Sequence, residues 1–480
     1  MLERQRLSPT LEVTRVITGL WQIADMERHG EKLEPSQAAE AMRPYVEAGL
    51  TSFDMADHYG SAEDIAGVFR QQHAQPVELL TKWVPAPGKV SRADVRRAVE
   101  RALQRLRSER LELLQFHAWN YADPSWLDAL FYLQELRDEG LIGALGLTNF
   151  DTAHLRIALT SGLDIACNQV CYSLLDHRPS QGLAALCQQY GVKLLAYGTL
   201  AGGLLSERWL GQAEPGLEGL ETWSQMKYYR FIQAAGGWSA YQQLLQALQT
   251  VAQRQGVSIA NVASRYILEQ PAVGAVIIGA RLGQRAHIAE TLQLFNLKLE
   301  AESKALLEQA LQQLQPLPGD SGDEYRQSPY LTASGDLSHH LEEFPPPYTV
   351  QQQANGRTQA LSGTTWESLA GYSRAVRQGS RILVSGTTAT HGARILGSGD
   401  PEAQTHAVID KIAGALQSLG GRLEDVVRTR VYVARLEDWE AVARAHGQRF
   451  AHIMPANTLV QAQLVGAEYL VEIEAEALLS

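Results

Sequence analysis

Apolar runs and amphipathic segments alternate along the first two thirds of the chain. Short apolar and β-branched runs predict strands at residues 13–20, 51–55, 77–80, 111–116, 142–147, 165–170, 192–197 and 273–278. The clearest helix is predicted at 91–106, where Ser91 and Asp94 form a capping-box pattern. About eight alternations of strand and helix over ~300 residues are typical of an α/β fold, the parallel (β/α)8 TIM barrel. A doubly wound sheet is the alternative, but no GxGxxG motif opens the first helix.

The alternating pattern stops after Gln315. Residues 316–358 are rich in Pro, Gly and Gln and show neither a helical nor a strand period, which indicates a linker. The remainder, 359–480, predicts a second unit with strands at 372–377, 381–385, 426–433, 458–464 and 469–477 and helices at 401–419 and 436–453. We therefore expect a barrel over 1–315 and a smaller α+β domain with helices on one face of a mixed sheet.

Composition narrows the functional classes. The 480 residues are 45% hydrophobic and 20% charged, which is an ordinary globular composition. A net charge of −11 argues against nucleic-acid binding, and no apolar run approaches the ~20 residues that span a bilayer. The N-terminus lacks the apolar core of a signal peptide. The cysteines at 167, 171 and 187 are an odd number, which suggests reduced thiols in a cytoplasm and leaves no second pair for a zinc site.

Polar residues stand at the ends of neighbouring predicted strands. Asp54, Lys82 and His117 end the second, third and fourth strands, and Tyr59 follows the second. In a parallel barrel these strand ends lie ~4.8 Å apart and carry the catalytic groups, so the four side chains can converge. A phenol donates a proton to a carbonyl oxygen poorly unless an ammonium stabilises its anion. We predict that Lys82 does this for Tyr59.

The other two residues of this group complete the predicted site. Asp54 would hold Lys82 in place, and His117 would orient a carbonyl by hydrogen bonding. The alternative is a structural ion pair between Asp54 and Lys82 with two ordinary rim residues. Four such residues at matching strand ends favour the functional interpretation.

The order of these motifs resembles the aldo-keto reductase superfamily over about residues 8–300. The family pattern is Asp and Tyr five apart before a glycine, then Lys and His on the next two strands. Cofactor motifs are similar in GLTNF, NQVCY, AYGTLAGGLL and IIGARLGQRAHIAET. The resemblance implies cofactor contacts from Thr148, Asn149, Gln169, Tyr197, Leu200, Gly202, Gly203, Gly279, Arg281 and Arg285.

The resemblance also indicates which nicotinamide cofactor to expect. Arg285 falls where a 2′-phosphate ligand is expected and Arg281 is a second candidate, which favours NADPH over NADH. Two positions depart from the family: Thr199 replaces a proline, and Ala289 stands where an asparagine that reads adenine is common. We therefore expect the cofactor to bind more weakly, or its adenine to be bound through different contacts.

Aromatic residues lie next to the same strand ends. They predict an aromatic substrate pocket walled by Trp21, Trp83, Trp119 and Tyr121. The long interval 200–237 is expected to cover or line that pocket.

The second unit is similar to the Rid (YjgF) family, formerly named for a deaminase of enamines and imines. The similarity rests on ILVSGTTAT, AQTHAVIDKIAGALQSLG, VVRTRVYVARLEDW and MPANTLVQAQLVGAEYLVEIEAEA. It implies a chorismate-mutase-like α+β fold and trimers with clefts between subunits. Members that hydrolyse imines carry an arginine that binds the substrate carboxylate, and here that position is Asn457. Glu472 matches the acidic residue that handles the attacking water.

The sequence thus predicts an NADPH-dependent reductase of a small-molecule aldehyde or ketone, fused to a degenerate or altered deaminase domain that serves as an oligomerisation unit. One alternative is a coupled enzyme in which the second unit hydrolyses an imine and the barrel reduces the resulting carbonyl. The fusion favours this alternative and Asn457 counts against it. Another alternative is a redox-sensing module that holds NADPH without fast turnover.

Overall fold

A computed structural model describes residues 2–23, 34–283, 287–326 and 344–479. Arg285, one of the predicted cofactor contacts, lies outside these residues. Among the helices described, none is long and apolar enough to cross a bilayer.

The first unit is the predicted parallel barrel. Its strands are β3 (Val16–Gly19), β4 (Ser52–Asp54), β5 (Glu78–Trp83), β6 (Leu111–His117), β7 (Ile142–Thr148), β8 (Cys167–Cys171), β9 (Lys193–Tyr197) and β10 (Val273–Gly279). The sheet closes because β10 pairs in parallel with both β9 and β3. The carboxyl ends of all the barrel strands therefore face one mouth.

An N-terminal hairpin precedes the barrel and was not predicted. It consists of β1 (Arg4–Ser8) and β2 (Leu11–Thr14), which pair antiparallel. Leu7 and Leu11 of this hairpin pack with Leu80 and Leu113 from inside the barrel. The hairpin thus adds apolar side chains to the inner core, and the predicted strand at 13–20 is split between β2 and β3.

Helices surround the barrel. They are α1 (Pro35–Glu40), α2 (Arg43–Glu47), α3 (Ala62–Gln72), α4 (Arg92–Leu106), α5 (Ser125–Asp138), α6 (Thr152–Thr160), α7 (Leu183–Tyr190), α8 (Trp223–Ala234), α9 (Gly237–Gln255), α10 (Ile259–Leu268), α11 (Ile288–Gln293) and α12 (Ala301–Leu311). The capping box of α4 is present as predicted, because Ser91 accepts from the backbone of Asp94 while the Asp94 carboxylate accepts from the backbone of Ser91.

The chain after α12 returns over the barrel mouth. Residues 317–326, which we call the return segment, end in the short helix α13 (Asp323–Arg326). Glu324 forms a buried ion pair with Arg178 at 2.9 Å. The guanidinium of Arg326 donates to the carbonyl oxygens of Ala118 and Asn149, at 2.7 and 2.6 Å. Part of the predicted linker thus forms a short helix and contacts the barrel.

The second unit is the predicted α+β domain. Its mixed seven-stranded sheet has the order β11-β12-β13-β14-β19-β17-β18, in which only β17 and β18 pair in parallel. The strands are β11 (Thr349–Gln352), β12 (Thr358–Leu361), β13 (Ala375–Gln378), β14 (Arg381–Thr388), β17 (Val426–Val433), β18 (Ala456–Gln461) and β19 (Val471–Leu478), with a separate hairpin of β15 (Thr390–His391) and β16 (Arg394–Ile395). Its helices are α14 (Thr365–Ala370), α15 (Pro401–Ser418) and α16 (Trp439–Phe450).

Strand β11 lies where the linker was predicted. Its four residues are all exposed, so no alternation of apolar and polar positions marks them as a strand. The limits 1–315, 316–358 and 359–480 stay predictions, although the sheet begins before 359.

The two units contact each other through α6 and α15. His154 of α6 hydrogen-bonds Asp151 through Nδ1 at 2.6 Å and Asp410 of α15 through Nε2 at 2.9 Å, and all three are buried. Arg156 and Asp400 add an ion pair at 2.9 Å. A buried charged contact of this kind fixes one register between the two helices.

Candidate active site

One cavity at the barrel mouth, of about 630 Å3, is lined by the four predicted catalytic residues. Asp54 ends β4, Lys82 lies in β5 and His117 ends β6, and successive parallel strands bring them side by side. Tyr59 reaches the same cavity from the loop between β4 and α3. The spatial grouping expected from the strand ends is therefore present.

Lys82 and Asp54 form a buried ion pair at the floor of the cavity. The ammonium of Lys82 donates to Asp54 Oδ2 at 2.6 Å and to the carbonyl oxygen of Met55 at 2.8 Å. Burial lowers the pKa of Lys82, and the Asp54 carboxylate opposes this shift. The same ammonium lies 5.0 Å from the ring centroid of Tyr59, so its charge faces the phenol.

The ring of Tyr59 is held by two aromatic neighbours. Trp21 and His58 both contact it edge to face, with centroids 4.9 Å away. Tyr59 is half-buried, so its ring is fixed while it still lines the cavity.

His117 has one ring nitrogen left for a ligand. Its Nδ1 contacts the carbonyl oxygen of Thr148 at 3.3 Å, and a carbonyl oxygen can only accept, so the proton sits on Nδ1. Nε2 is buried without a partner in the described structure. Burial, aided by the charge of Arg326, holds the pKa of His117 well below its usual value. The neutral ring therefore presents Nε2 as an acceptor.

A network of amides supports the ion pair. Asp54 Oδ1 accepts from Gln115 Nε2 at 3.1 Å and from Gln169 Nε2 at 2.7 Å, and Gln169 Nε2 also donates to Gln115 Oε1 at 3.0 Å. Gln169 thus keeps its amide oxygen for a ligand. Gln115 was missed from the sequence, although it precedes His117 by two residues on one strand and so shares its face.

The predicted cofactor residues line the other half of the same cavity. They are Thr148, Asn149, Gln169, Tyr197, Leu200, Gly202, Gly203, Gly279 and Arg281. Asn149 has a φ of 57°, and its Oδ1 accepts from the Tyr197 hydroxyl at 2.7 Å. Gly202 has a φ of 64°, and a Cβ there would lie 3.0 Å from the backbone of Ser224. Side-chain amides and a tight glycine turn in one cavity offer donors and acceptors of the kind that a dinucleotide needs.

The distal end of this cavity carries an exposed arginine. Arg281 donates through Nε to Gln22 Oε1 at 3.3 Å, and no carboxylate within the described residues forms an ion pair with it. Its charge is therefore available to a phosphate. The buried Thr199, which stands in place of a proline, hydrogen-bonds Ser264 at 3.1 Å and so fixes the turn in another way.

Sequence comparison identifies the family of the first unit. Residues 15–312, more than half of the chain, match the family model described as Aldo/keto reductase family. The chain belongs to the aldo/keto reductase family. Protein tas of Escherichia coli strain K12 is 27% identical over 294 residues, 52% of this chain and 83% of that protein. The Gluconobacter oxydans glycerol dehydrogenase structure is 22% identical, covers 66% of this chain and 97% of its own with a TM-score of 0.53, and shows the fold alone.

The second unit of this aldo/keto reductase has a different relationship. Residues 363–479 match the model described as Endoribonuclease L-PSP. An uncharacterized protein of Streptomyces coelicolor is 40% identical over 117 residues, 24% of this chain and 87% of that protein. The predicted resemblance of this unit to the Rid (YjgF) family is thereby confirmed.

Only two of the four predicted pocket aromatics line the reductase cavity. Trp21 and Trp119 do so, and Trp119 packs edge to face on His117 at 4.2 Å. Trp83 points the other way because it alternates with Lys82 along β5, and it packs against Phe116 outside the barrel. Tyr121 is absent from this cavity because its ring stacks on His154, with centroids 3.4 Å apart.

The return segment adds a residue that the sequence did not reveal. Tyr325 lines the cavity, and its hydroxyl lies 3.2 Å from the Tyr197 hydroxyl and accepts from Lys227 Nζ at 2.7 Å. Lys227, from the predicted covering interval 200–237, is also 3.7 Å from Glu324. No local pattern marks the return segment as part of a site, because the contact exists only through the fold.

The two predicted residues of the Rid-like site lie on different strands. Asn457 of β18 donates through Nδ2 to Thr429 Oγ1 on neighbouring β17 at 2.9 Å. Glu472 of β19 lies across Gly386 of β14, where a Cβ would overlap its carboxylate. The side-chain amide of Asn457 is thus hydrogen-bonded within the sheet.

Proposed function

We propose that the barrel reduces an aldehyde or ketone to an alcohol with NADPH. The observation that carries this proposal is the buried Lys82 ammonium, held by Asp54 and facing the ring of Tyr59 in the cavity that the predicted cofactor residues also line. A structural ion pair would not require a phenol and an imidazole with an unpartnered Nε2 in the same cavity.

Bound NADPH would supply the hydride that the carbonyl carbon receives. The amide-rich end, with Asn149 and Gln169, suits the nicotinamide carboxamide, and Arg281 suits the 2′-phosphate. These assignments follow the family resemblance, and the lining of the cavity supports them.

Tyr59 would protonate the carbonyl oxygen. A positive charge on Lys82 would stabilise the phenolate that remains, and the Asp54 carboxylate opposes the lowering of the Lys82 pKa by burial. The burial of Lys82 and Asp54 strengthens the interaction because the local dielectric is low.

The role of His117 is narrower than a general hydrogen bond to the carbonyl. With the proton on Nδ1, the neutral ring accepts at Nε2, which suits the hydroxyl of the alcohol product. Donation from Nε2 to a carbonyl oxygen requires the imidazolium form, which burial disfavours. Tyr59 is then the principal donor to the substrate.

Replacement of the phenol tests this assignment. We expect Tyr59→Phe to lower NADPH oxidation with simple aldehydes by at least about 100-fold, because the proton donor is lost. NADPH binding, followed by its fluorescence on titration, should be nearly intact. Tyr45→Phe is the matched control, because Tyr45 lines the same cavity from α2. Retained turnover in Tyr59→Phe would contradict the proposal.

For the second unit we infer a degenerate or altered imine deaminase that also assembles the chain into oligomers, as trimers. The uncharged Asn457, tied to Thr429, supports the loss of the ordinary carboxylate anchor. Analytical ultracentrifugation of the full chain tests the assembly, and a monomer at micromolar concentration would contradict it.

A further inference from the structure

Lys227 of α8 is a largely buried ammonium in the wall of the reductase cavity, with 12% of its side chain exposed. Its Nζ donates to the Tyr325 hydroxyl at 2.7 Å and lies 3.7 Å from Glu324, which also pairs with Arg178 at 2.9 Å. Although burial opposes the charge, the pKa of Lys227 is raised because Tyr325 and Glu324 face its ammonium. Lys227 therefore stays charged and can only donate to the Tyr325 oxygen.

A chain of hydrogen bonds leads from this ammonium to Asn149. The Tyr197 hydroxyl gives its single proton to Asn149 Oδ1 at 2.7 Å. Its oxygen is therefore left to accept from the Tyr325 hydroxyl, 3.2 Å away. The direction of every donor between Lys227 and Asn149 is thus fixed.

The fold uses most of the polar groups of Asn149. Its backbone N–H donates to the carbonyl oxygen of Gln169 at 2.8 Å, and its own carbonyl oxygen accepts from Arg326 at 2.6 Å. With Oδ1 bonded to Tyr197, the amide nitrogen Nδ2 is the polar group of Asn149 that has no protein partner among the described residues. Asn149 lines the cavity, so this nitrogen can donate to a ligand there.

Gln169 offers the opposite kind of group in the same cavity. Its Nε2 donates to Asp54 and to Gln115, at 2.7 and 3.0 Å, so its amide oxygen remains as an acceptor. A primary carboxamide has an acceptor oxygen and an NH2 donor, which match one donor from Asn149 and one acceptor from Gln169. If the Asn149 amide turned by 180°, it would present an oxygen instead, and this match would be lost.

Tyr325 lies outside the residues that match the reductase family, which end at residue 312. The return segment that carries it reaches Asn149 at two points. Arg326 bonds the backbone oxygen, and Tyr325 reaches the side chain through Tyr197. The left-handed φ of 57° at Asn149 costs free energy for a residue other than glycine, so these contacts help to hold it in place.

We propose that Tyr325 is a positioning residue of the reductase site, which sets the Asn149 amide to donate to the carboxamide oxygen of a bound nicotinamide. It acts through Tyr197 and is itself oriented by Lys227, so its role requires no contact with the substrate. This inference rests on the proposed function, because it requires that the cavity binds a nicotinamide cofactor.

Removal of the Tyr325 hydroxyl tests this role in calorimetric titrations of the full chain with two probes, NADPH and 2′-phospho-ADP-ribose, which lacks the nicotinamide ring. We expect Tyr325→Phe to weaken NADPH about tenfold, because the orientation of the Asn149 amide is no longer fixed. Binding of 2′-phospho-ADP-ribose should be unchanged, which also shows that the variant is folded. Tyr228→Phe is the matched control, since the Tyr228 side chain lines the same cavity and its hydroxyl contacts Cys171 at 3.9 Å instead.

A double-mutant cycle separates action through Tyr197 from an independent effect. In a Tyr197→Phe background, Tyr325→Phe should change the affinity for NADPH by less than about twofold, because the hydrogen-bond chain is already broken. Equal losses in the two backgrounds, or equal weakening of NADPH and 2′-phospho-ADP-ribose, would overturn the proposal.

An unchanged affinity of Tyr325→Phe for NADPH would also overturn it, and a raised KM for the aldehyde would then place Tyr325 against the substrate. Failure of the wild type to bind NADPH is a different outcome. It would contradict the proposed function, and this inference with it.

Discussion

At the ends of the barrel strands, single hydrogen bonds decide which atoms remain for a ligand. Asp54 Oδ1 accepts hydrogen bonds from the side-chain amides of Gln115 and Gln169, and Asp54 Oδ2 accepts one from the Lys82 ammonium. The groups that we propose for proton donation and for the nicotinamide carboxamide are therefore joined through one carboxylate. A change at Gln115 should act on both ends although it touches neither ligand.

We expect Gln115→Met, which keeps the volume and removes the amide, to raise the KM for NADPH by roughly fivefold. The reason is that Gln169 loses one of its two partners, which is worth about 1 kcal/mol. Steady-state kinetics with one aldehyde would separate this rise from a change in kcat. Gln134→Met is the control, since Gln134 makes comparable hydrogen bonds on α5, to Gly162 and Asp164. Equal KM values for the two variants would contradict the coupling.

Some residues of the site could be placed from the sequence, and others could not. Asp54, Lys82 and His117 could be placed together because each stands at a strand end, and the barrel makes strand ends neighbours. The direction of Trp83 could have been inferred from its alternation with Lys82. Tyr325 could not, because it reaches the cavity only after the return segment has folded over the barrel.

At the scale of elements, the return segment depends on one close approach. Gly322 has a φ of 84°, and a Cβ there would overlap the carbonyl oxygen of Asn149. We expect Gly322→Ala to displace Tyr325 and Arg326 and to raise the KM for NADPH about tenfold. The reason is that the backbone carbonyl oxygen of Asn149 loses the hydrogen bond that the Arg326 guanidinium donates to it.

The control for this prediction is Gly256→Ala. Gly256 ends α9 with a φ of 66°, and a Cβ there would meet nothing within 4 Å. Both variants carry the same left-handed cost, so a difference between them isolates the contact with Asn149. Equal kinetics and equal melting temperatures would show that the return segment does not support the site.

The elements differ in how strongly the sequence specified them. The barrel strands were predictable because both faces are buried and their residues form continuous apolar runs. The strand Arg4–Ser8 is short and polar, and Thr349–Gln352 is fully exposed, so neither has a periodic signal. Each is a strand because it pairs with a neighbouring strand, Arg4–Ser8 with β2 and Thr349–Gln352 with β12.

At the scale of the whole molecule, the domain contact should depend on pH. The pKa of His154 is raised to about 9, although burial opposes charge, because Asp151 and Asp410 face it; Arg449 shares Asp410 at 2.8 Å. Burial lowers the pKa of His406 to about 3, so that neighbour stays neutral. A histidine whose pKa is raised in the folded state stabilises the fold. For His154 this stabilisation is complete below the unfolded-state pKa of about 6.5 and is lost as pH rises through the folded-state pKa of about 9.

We therefore expect the melting temperature of the full chain to fall between pH 6.5 and 9.5, and His154→Gln to flatten this dependence. Differential scanning fluorimetry across that range measures both. His287→Gln is the control, since His287 is exposed and its ion pair with Glu290 lies on the surface. The same slope in wild type and His154→Gln would rule out His154 as its source.

The covalent link between the two units lowers the affinity that the contact between α6 and α15 needs in order to stay closed. Two units on one chain meet at an effective concentration of about a millimolar, so an interface too weak to join separate proteins can still remain closed. The contact between His154 and Asp410 therefore only has to hold together two units that the chain already keeps close.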